Sequence, residues 1–201
     1  MADGNHLARF STAPGHHGPA PAGVAYTETP LPGAWTVQGD AARPLFADAV
    51  RRQFGIALPA TPNTTAKNDR LTVLWLGPTS WLLVLSDAST LTDFSSCRDA
   101  LNAAGGALFD VTASWVAWTV SGAHAATVLA KGCPLDFHAR AFVAGTCAQS
   151  VLGHVEALFC KRGEAHEFVL MVARSCARDV WRTLCISAAQ YGYDVLPPRK
   201  F

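Results

Sequence analysis

No stretch of this chain approaches the roughly eighteen consecutive apolar residues that a membrane-crossing helix needs, and residues 1–23 lack the unbroken apolar segment of a secretory signal. The expectation is a cytoplasmic protein without membrane contact, in which the glycosylation acceptor Asn63-Thr64-Thr65 has no role. Charge is scarce as well: acidic and basic residues make up 15% of the chain and the formal net charge is +1. Basic residues cluster nowhere beyond Arg51-Arg52, so the concentrated basic face of a nucleic-acid binder is missing. Late in a helix, those two arginines suit solvent near the negative end of the dipole. C-x-x-C pairs are absent. Cys97, Cys133, Cys147, Cys160, Cys176 and Cys185 stand at wide, irregular intervals and read as small core residues of a reducing compartment, with neither disulfides nor a metal expected.

Chemistry-bearing motifs are missing too. There is no phosphate-cradling G-x-x-x-x-G-K-[ST] loop, no G-x-G-x-x-G after a strand and no G-x-S-x-G elbow. His166-Glu167 opens a zinc-protease-like H-E-x-x-H only by chance, because Leu170 stands where the second histidine belongs. His124, His138, His154 and His166 are scattered over helix, loop and strand positions. His138 lies near Cys133 and Asp136, and a Cys/His pair can form a nucleophile and base, but only if the fold brings the two together. No catalytic residue, cofactor site or metal site is expected on this chain.

What is present is apolar bulk. Half of the 201 residues are hydrophobic, with six tryptophans and ten phenylalanines, enough for a core and a hint of more apolar surface than a lone monomer shows. The length suits one domain, or two small halves sharing a core. Residues 1–30, rich in Ala, Gly and Pro and carrying His16-His17, lack an apolar period and are expected to be a flexible leader. Beyond it a single α+β domain is expected over 31–201, built from two pseudo-repeats at about 31–112 and 113–192.

In the first repeat, 34–37 reads as a strand. Pro44 opens a helix whose inner face is Phe46, Val50 and Phe54, stopped by Gly55. A Pro/Asn/Thr loop fills 58–68, and strands 71–76 and 81–85 join through Gly77-Pro78-Thr79-Ser80. Phe94, Cys97, Leu101 and Ala104 form a second helical stripe before Gly105-Gly106 and a strand at 107–111. The second repeat has a strand at 115–120, and Ser121 is expected to cap a helix with Ala125, Val128 and Leu129 inward, closed by Gly132. After a long loop, strands are expected around 148–152, 155–160 and 167–172. Ser175 should cap a last helix burying Val180, Trp181, Leu184, Cys185 and Ala188 and ending at Gly192. Strand–helix–strand–strand–helix thus occurs twice, the order of a ferredoxin-like split βαβ unit, so two such units are expected to be fused.

The long loop is the most distinctive segment. It runs Lys131-Gly132-Cys133-Pro134-Leu135-Asp136-Phe137-His138-Ala139-Arg140-Ala141-Phe142, mixes polar with apolar residues and is bounded by glycines. Loops of this length carry function or are held by a partner. Its alternative role is an irregular connection in which Asp136 and Arg140 satisfy local backbone groups. Lys131, Gly132, Cys133, Pro134, Leu135, Asp136 and Arg140 are the candidate partner-contact positions.

Three segments, Leu58-Pro59-Ala60-Thr61-Pro62-Asn63-Thr64, Leu74-Trp75-Leu76-Gly77-Pro78-Thr79-Ser80-Trp81-Leu82-Leu83 and Lys131-Gly132-Cys133-Pro134-Leu135-Asp136, closely resemble the gamma subunit of heterotetrameric bacterial sarcosine oxidases. Gly145-Thr146-Cys147-Ala148-Gln149 and Ala173-Arg174-Ser175 continue the likeness, which spans roughly 29–189. The resemblance implies a non-catalytic accessory subunit beside alpha, beta and delta subunits. Such a complex converts sarcosine, tetrahydrofolate and oxygen to glycine, methylenetetrahydrofolate and hydrogen peroxide, with FAD, FMN, NAD and zinc on the other subunits. A more distant resemblance joins Leu108-Phe109-Asp110-Val111-Thr112, Val120-Ser121-Gly122-Ala123 and Asp136 with Gly145 to the folate-binding domain of the glycine-cleavage aminomethyltransferases. There Asp136 matches the carboxylate facing the folate-bound reaction centre, which can stabilise a developing cation; Leu152-Gly153-His154 departs from that family's Asn-containing turn. Two alternatives follow: a folate-binding module in one-carbon transfer, or the equivalent subunit of an N-methyl amino acid dehydrogenase such as one acting on N-methylglutamate.

Overall fold

A computed structural model describes residues 14–87, 93–163, 166–199 and 201. In chain order the strands are β1 (Gly15–His17), β2 (Val24–Glu28), β3 (Ala34–Gln38), β4 (Thr65–Lys67), β5 (Leu71–Gly77), β6 (Ser80–Leu85), β7 (Ala107–Asp110), β8 (Trp115–Ser121), β9 (Cys147–Leu152), β10 (Val155–Lys161), β11 (Glu167–Ala173) and β12 (Tyr193–Leu196). The α-helices are α1 (Pro44–Phe54), α2 (Phe94–Ala103), α3 (Ala125–Ala130) and α4 (Ala177–Ala188). The chain is mixed α+β and divides into two units: Leu31–Ala113, and Met1–Pro30 together with Ser114–Lys200. Among the described residues no helix is long and apolar enough to cross a membrane.

The unit Leu31–Ala113 carries a five-stranded antiparallel sheet ordered β4-β5-β6-β3-β7. Omitting β4, this is the strand order of a split βαβ unit, with α1 following β3 and α2 following β6. Pro44 occupies the first turn of α1, where its missing N–H costs nothing; Phe46, Ala49, Val50 and Phe54 are buried, and Gly55 takes a left-handed φ of 68° at the C-terminal stop. Asp93 starts α2 by accepting from the Ser95 N–H at 3.0 Å, and Cys97 and Leu101 fill the buried face. Trp35 joins the layers, meeting Phe54 and Phe94 edge to face. The loop expected at 58–68 is partly ordered as strand. Thr65 pairs with Leu74, and Asn68 Oδ1 accepts the N–H groups of Arg70 and Leu71 to fix the turn into β5. Three residues are too few for a periodic signal, so the side-chain lock at Asn68 decides.

The second unit differs more from expectation. Its seven-stranded sheet runs β1-β12-β2-β8-β11-β10-β9. In a simple split βαβ unit the last strand would lie beside the first, yet β2 occupies that place. It is antiparallel to β8 from Ala25 opposite Ser121 to Glu28 opposite Trp118, while β12 runs parallel along its other edge. The expected leader is therefore corrected over its described part, and 1–13 lie outside the described residues. Burial explains the docking of β2. Val24 and Tyr26 are enclosed in the core, where Tyr26 meets Trp181 edge to face and donates its hydroxyl to the Leu184 carbonyl at 2.8 Å. Burial pushes the Tyr26 phenol up, so it remains a neutral donor.

Two expected caps are also corrected. Ser121 ends β8, and α3 begins only at Ala125, after the Gly122 turn at φ 110°. A side chain at Gly122 would run into the Gly23 carbonyl, which also accepts the His124 N–H at 3.0 Å. Ser175 lies inside a short 3-10 turn, Arg174–Cys176, and α4 starts without a side-chain cap. His16 and His17 separate to opposite faces of β1. His16 Nδ1 lies 2.8 Å from Asp194 Oδ1, and the His17 ring stacks on Tyr193 at 5.1 Å.

Candidate functional site

The segment between α3 and β9 is built from inside outward. Cys133, Phe137 and Phe142 are buried in the core of their unit. Phe137 meets Phe142, Phe159 and Phe168 edge to face with centroids 5.7, 5.2 and 5.4 Å away, so two rings from the loop interlock with one ring each from β10 and β11. Burying two aromatic side chains gives the loop a few kcal/mol of anchorage, enough to offset ordering several residues without sheet hydrogen bonds.

Polar contacts between the anchors are local. Asp136 Oδ1 accepts the His138 N–H at 2.8 Å, His138 Nδ1 accepts the Arg140 N–H at 3.2 Å, and the Ala141 and Phe142 N–H groups both donate to the His138 carbonyl at 2.9 Å. This aspartate-led turn is the local backbone role considered for Asp136. The same turn leaves Pro134, Asp136, His138 and Arg140 exposed. At the far end Gly145, at φ 81°, donates its N–H to the Lys161 carbonyl at 3.1 Å, and the Lys161 N–H donates to Thr146 at 3.0 Å.

The candidate positions therefore sort themselves. Lys131 is tied down, its ammonium donating to the Ser187 carbonyl and lying 4.8 Å over the Tyr191 ring. Cys133 faces the core, Leu135 packs half-buried against it, and Gly132 approaches Leu152 closely. Pro134, Asp136 and Arg140 point outward. Among the described residues no hydrogen bond joins Cys133 to His138, so the fold does not assemble a nucleophile and base from them.

One residue of this region was not found from the sequence. Lys161 continues the core-facing row Val155, Ala157 and Phe159 of β10 and is only 3% exposed. Its ammonium lies 4.9 Å over the Phe168 ring. The alternating pattern of β10 could have revealed it, because a period of two carries the inward set one step past Phe159.

The six cysteines are free, four of them buried, and Cys147 lies opposite Cys160 on neighbouring strands. Burial pushes the Cys160 thiol up to about 12. Among the described residues no group of three His, Cys, Asp or Glu side chains could hold a metal ion.

Comparison with known proteins places this architecture. Residues 38–190 match the family model described as sarcosine oxidase, gamma subunit family. Curated relatives named sarcosine oxidase subunit gamma include one from Corynebacterium sp. (strain U-96), 33% identical over 58% of this chain and 56% of that protein. Another, from Arthrobacter sp., is 31% identical over 69% of this chain and 66% of that protein. These alignments span a little under two thirds of the relatives' length at most. A chain of the heterotetrameric sarcosine oxidase from Corynebacterium sp. U-96, solved in complex with pyrrole 2-carboxylate, shares the fold with a TM-score of 0.76 at 23% identity, over 92% of this chain and 93% of that one. The glycine cleavage system aminomethyltransferase T from Bartonella henselae shares it at 0.59 and 14% identity, over 88% of this chain and 48% of that one. With a family model matched across most of its length, and that family's fold in both units, the chain belongs to the sarcosine oxidase gamma subunit family.

Proposed function

We propose that this protein is the accessory gamma subunit of a cytoplasmic heterotetrameric sarcosine oxidase and works by assembly. In this reading alpha, beta and delta subunits hold the FAD, FMN, NAD and zinc. The complex converts sarcosine, tetrahydrofolate and oxygen to glycine, methylenetetrahydrofolate and hydrogen peroxide. The observation that carries the reading is the loop at 131–146 in a chain of this family. Buried phenylalanines fix it from below while Pro134, Asp136 and Arg140 are held outward by local backbone bonds. Such a rigid, outward-facing segment suits a partner surface, where prior ordering lowers the entropic cost of association.

The test is to co-express the tagged chain with the products of the neighbouring genes. A stoichiometric complex that forms peroxide from sarcosine is expected, and failure to recover partners would refute the reading. Asp136→Ala separates assembly from folate chemistry. Turnover per assembled complex is expected to stay within a few-fold of wild type, with any loss appearing as lower recovery of complex. A fall of about a hundredfold in methylenetetrahydrofolate formation alone, with peroxide production unchanged, would instead make Asp136 an electrostatic stabiliser of the folate step.

A further inference from the structure

Among the described residues Lys161 is the only charged side chain that is buried. Its ammonium carries three donors, and the face of the Phe168 ring, which accepts none of them in an ordinary hydrogen bond, is its only side-chain partner among the described residues. The aliphatic stem is enclosed, and an anion at the ammonium would add a charge-assisted hydrogen bond that the ring face does not supply. Among the described residues no ion pair involves Lys161. Phe137 and Phe142 pin the loop against the same ring, centroids 5.4 and 6.1 Å from that of Phe168. The stretch so pinned adds the exposed Arg140, and its one carboxylate, Asp136, already accepts from the His138 N–H. Beside these charges Val143 is 49% exposed, an apolar rim close to the Gly145–Lys161 backbone bond.

We propose that the 133–146 loop docks another subunit of the assembly through an acidic side chain of that subunit, whose carboxylate reaches Lys161 while Val143 and Arg140 flank it. Charge complementarity selects this occupant. Among the described residues neither Lys161 nor Arg140 forms an ion pair, and an aspartate or glutamate supplies acceptor oxygens together with methylenes for the ring and valine edges. The proposal rests on the reading of the chain as an assembly subunit and adds the chemistry of its partner.

The test compares wild type, Lys161→Met, Lys161→Arg and Val143→Glu in co-purification with the co-expressed partner subunits, at sodium chloride from about 0.05 to about 0.5 M. Isolated Lys161→Met should melt within about 2 °C of wild type, since no ion pair among the described residues is lost. In the complex it should weaken association about tenfold or more and flatten the salt dependence, whereas Lys161→Arg should retain most of both. Val143→Glu, altering only an exposed side chain, should also weaken association by setting a like charge against the incoming carboxylate, and it keeps the test open if Lys161→Met fails to fold. Wild type and all variants assembling alike at every salt concentration would overturn the proposal while leaving the subunit reading intact. Failure of wild type itself to assemble would remove both. Stabilisation of the isolated wild type by inorganic phosphate, lost in Lys161→Met while assembly is unchanged, would overturn it in favour of a small-anion site.

Discussion

Gly192 joins α4 to β12 at a left-handed φ of 64°, and a methyl group there would fall inside the Pro19 carbonyl. Gly192→Ala therefore meets both a backbone penalty and an unyielding backbone neighbour. A loss of more than about 2 kcal/mol is expected in urea unfolding. Phe137→Ala opens a cavity where four rings meet, and about 3–4 kcal/mol should be lost, with limited proteolysis appearing first between 133 and 146. His16 offers a pH test. Its hydrogen bond to Asp194 holds the imidazole above its ordinary value near 6.5. The stabilisation is fully present below that ordinary value and is lost as pH rises through the raised one. Both groups are exposed, so the effect should be local: protection of residues 193–195 against amide exchange, taken relative to the intrinsic rate at each pH, should fall at alkaline pH in wild type and stay level in His16→Ala.

At the scale of elements, the N-terminal strands decide how far the chain can be trimmed. Deleting 1–22 removes β1 and bares the outer edge of β12, and the melting temperature should fall by more than about 4 °C. Deleting 1–28 also removes Tyr26 and the strand joining β12 to β8, and cooperative unfolding should disappear. Helices with a clear apolar stripe, α1, α2 and α4, were legible from the sequence, as were the long strands β5, β6, β8, β10 and β11. The segments β1, β2, β4 and β12 were not. They hold three to five residues each, and β1, β2 and β12 are ordered by partners far along the chain, as Val24 is by Tyr193. The loop at 131–142 stood out through its length and its bounding glycines. Lys161 did not, because a terminal lysine on an apolar strand looks like the point where the chain meets solvent. Its side chain is instead covered, with the ring of Phe168, brought in by β11, 4.9 Å from the ammonium.

Across the whole molecule the thiols provide a count of how closed the fold is. Cys97, Cys133, Cys147 and Cys160 are buried, and Cys176 and Cys185 are half-buried. Burial raises the Cys97 and Cys160 thiols, leaving them little thiolate at neutral pH. A native titration with an aromatic disulfide should release two equivalents promptly and all six only after denaturation; a faster third equivalent would show that a core opens on that timescale. The threading of β2 also bears on how the molecule comes into being. Thr29 and Thr119, 90 residues apart in sequence, meet through their hydroxyls at 2.8 Å beside the β2–β8 ladder. Left to an unstructured chain, closing so long a loop costs about 2 kcal/mol more than closing one of about ten residues. The intervening unit can remove that penalty, because its own ends are tied where the Val111 N–H donates to the Ala34 carbonyl at 2.9 Å. During synthesis β2 would leave the ribosome first, wait while Leu31–Ala113 matures, and find its place in the sheet only when β8 emerges. Slow maturation of that inserted stretch would then leave an unpaired apolar strand waiting in the open, and errors of assembly would begin there.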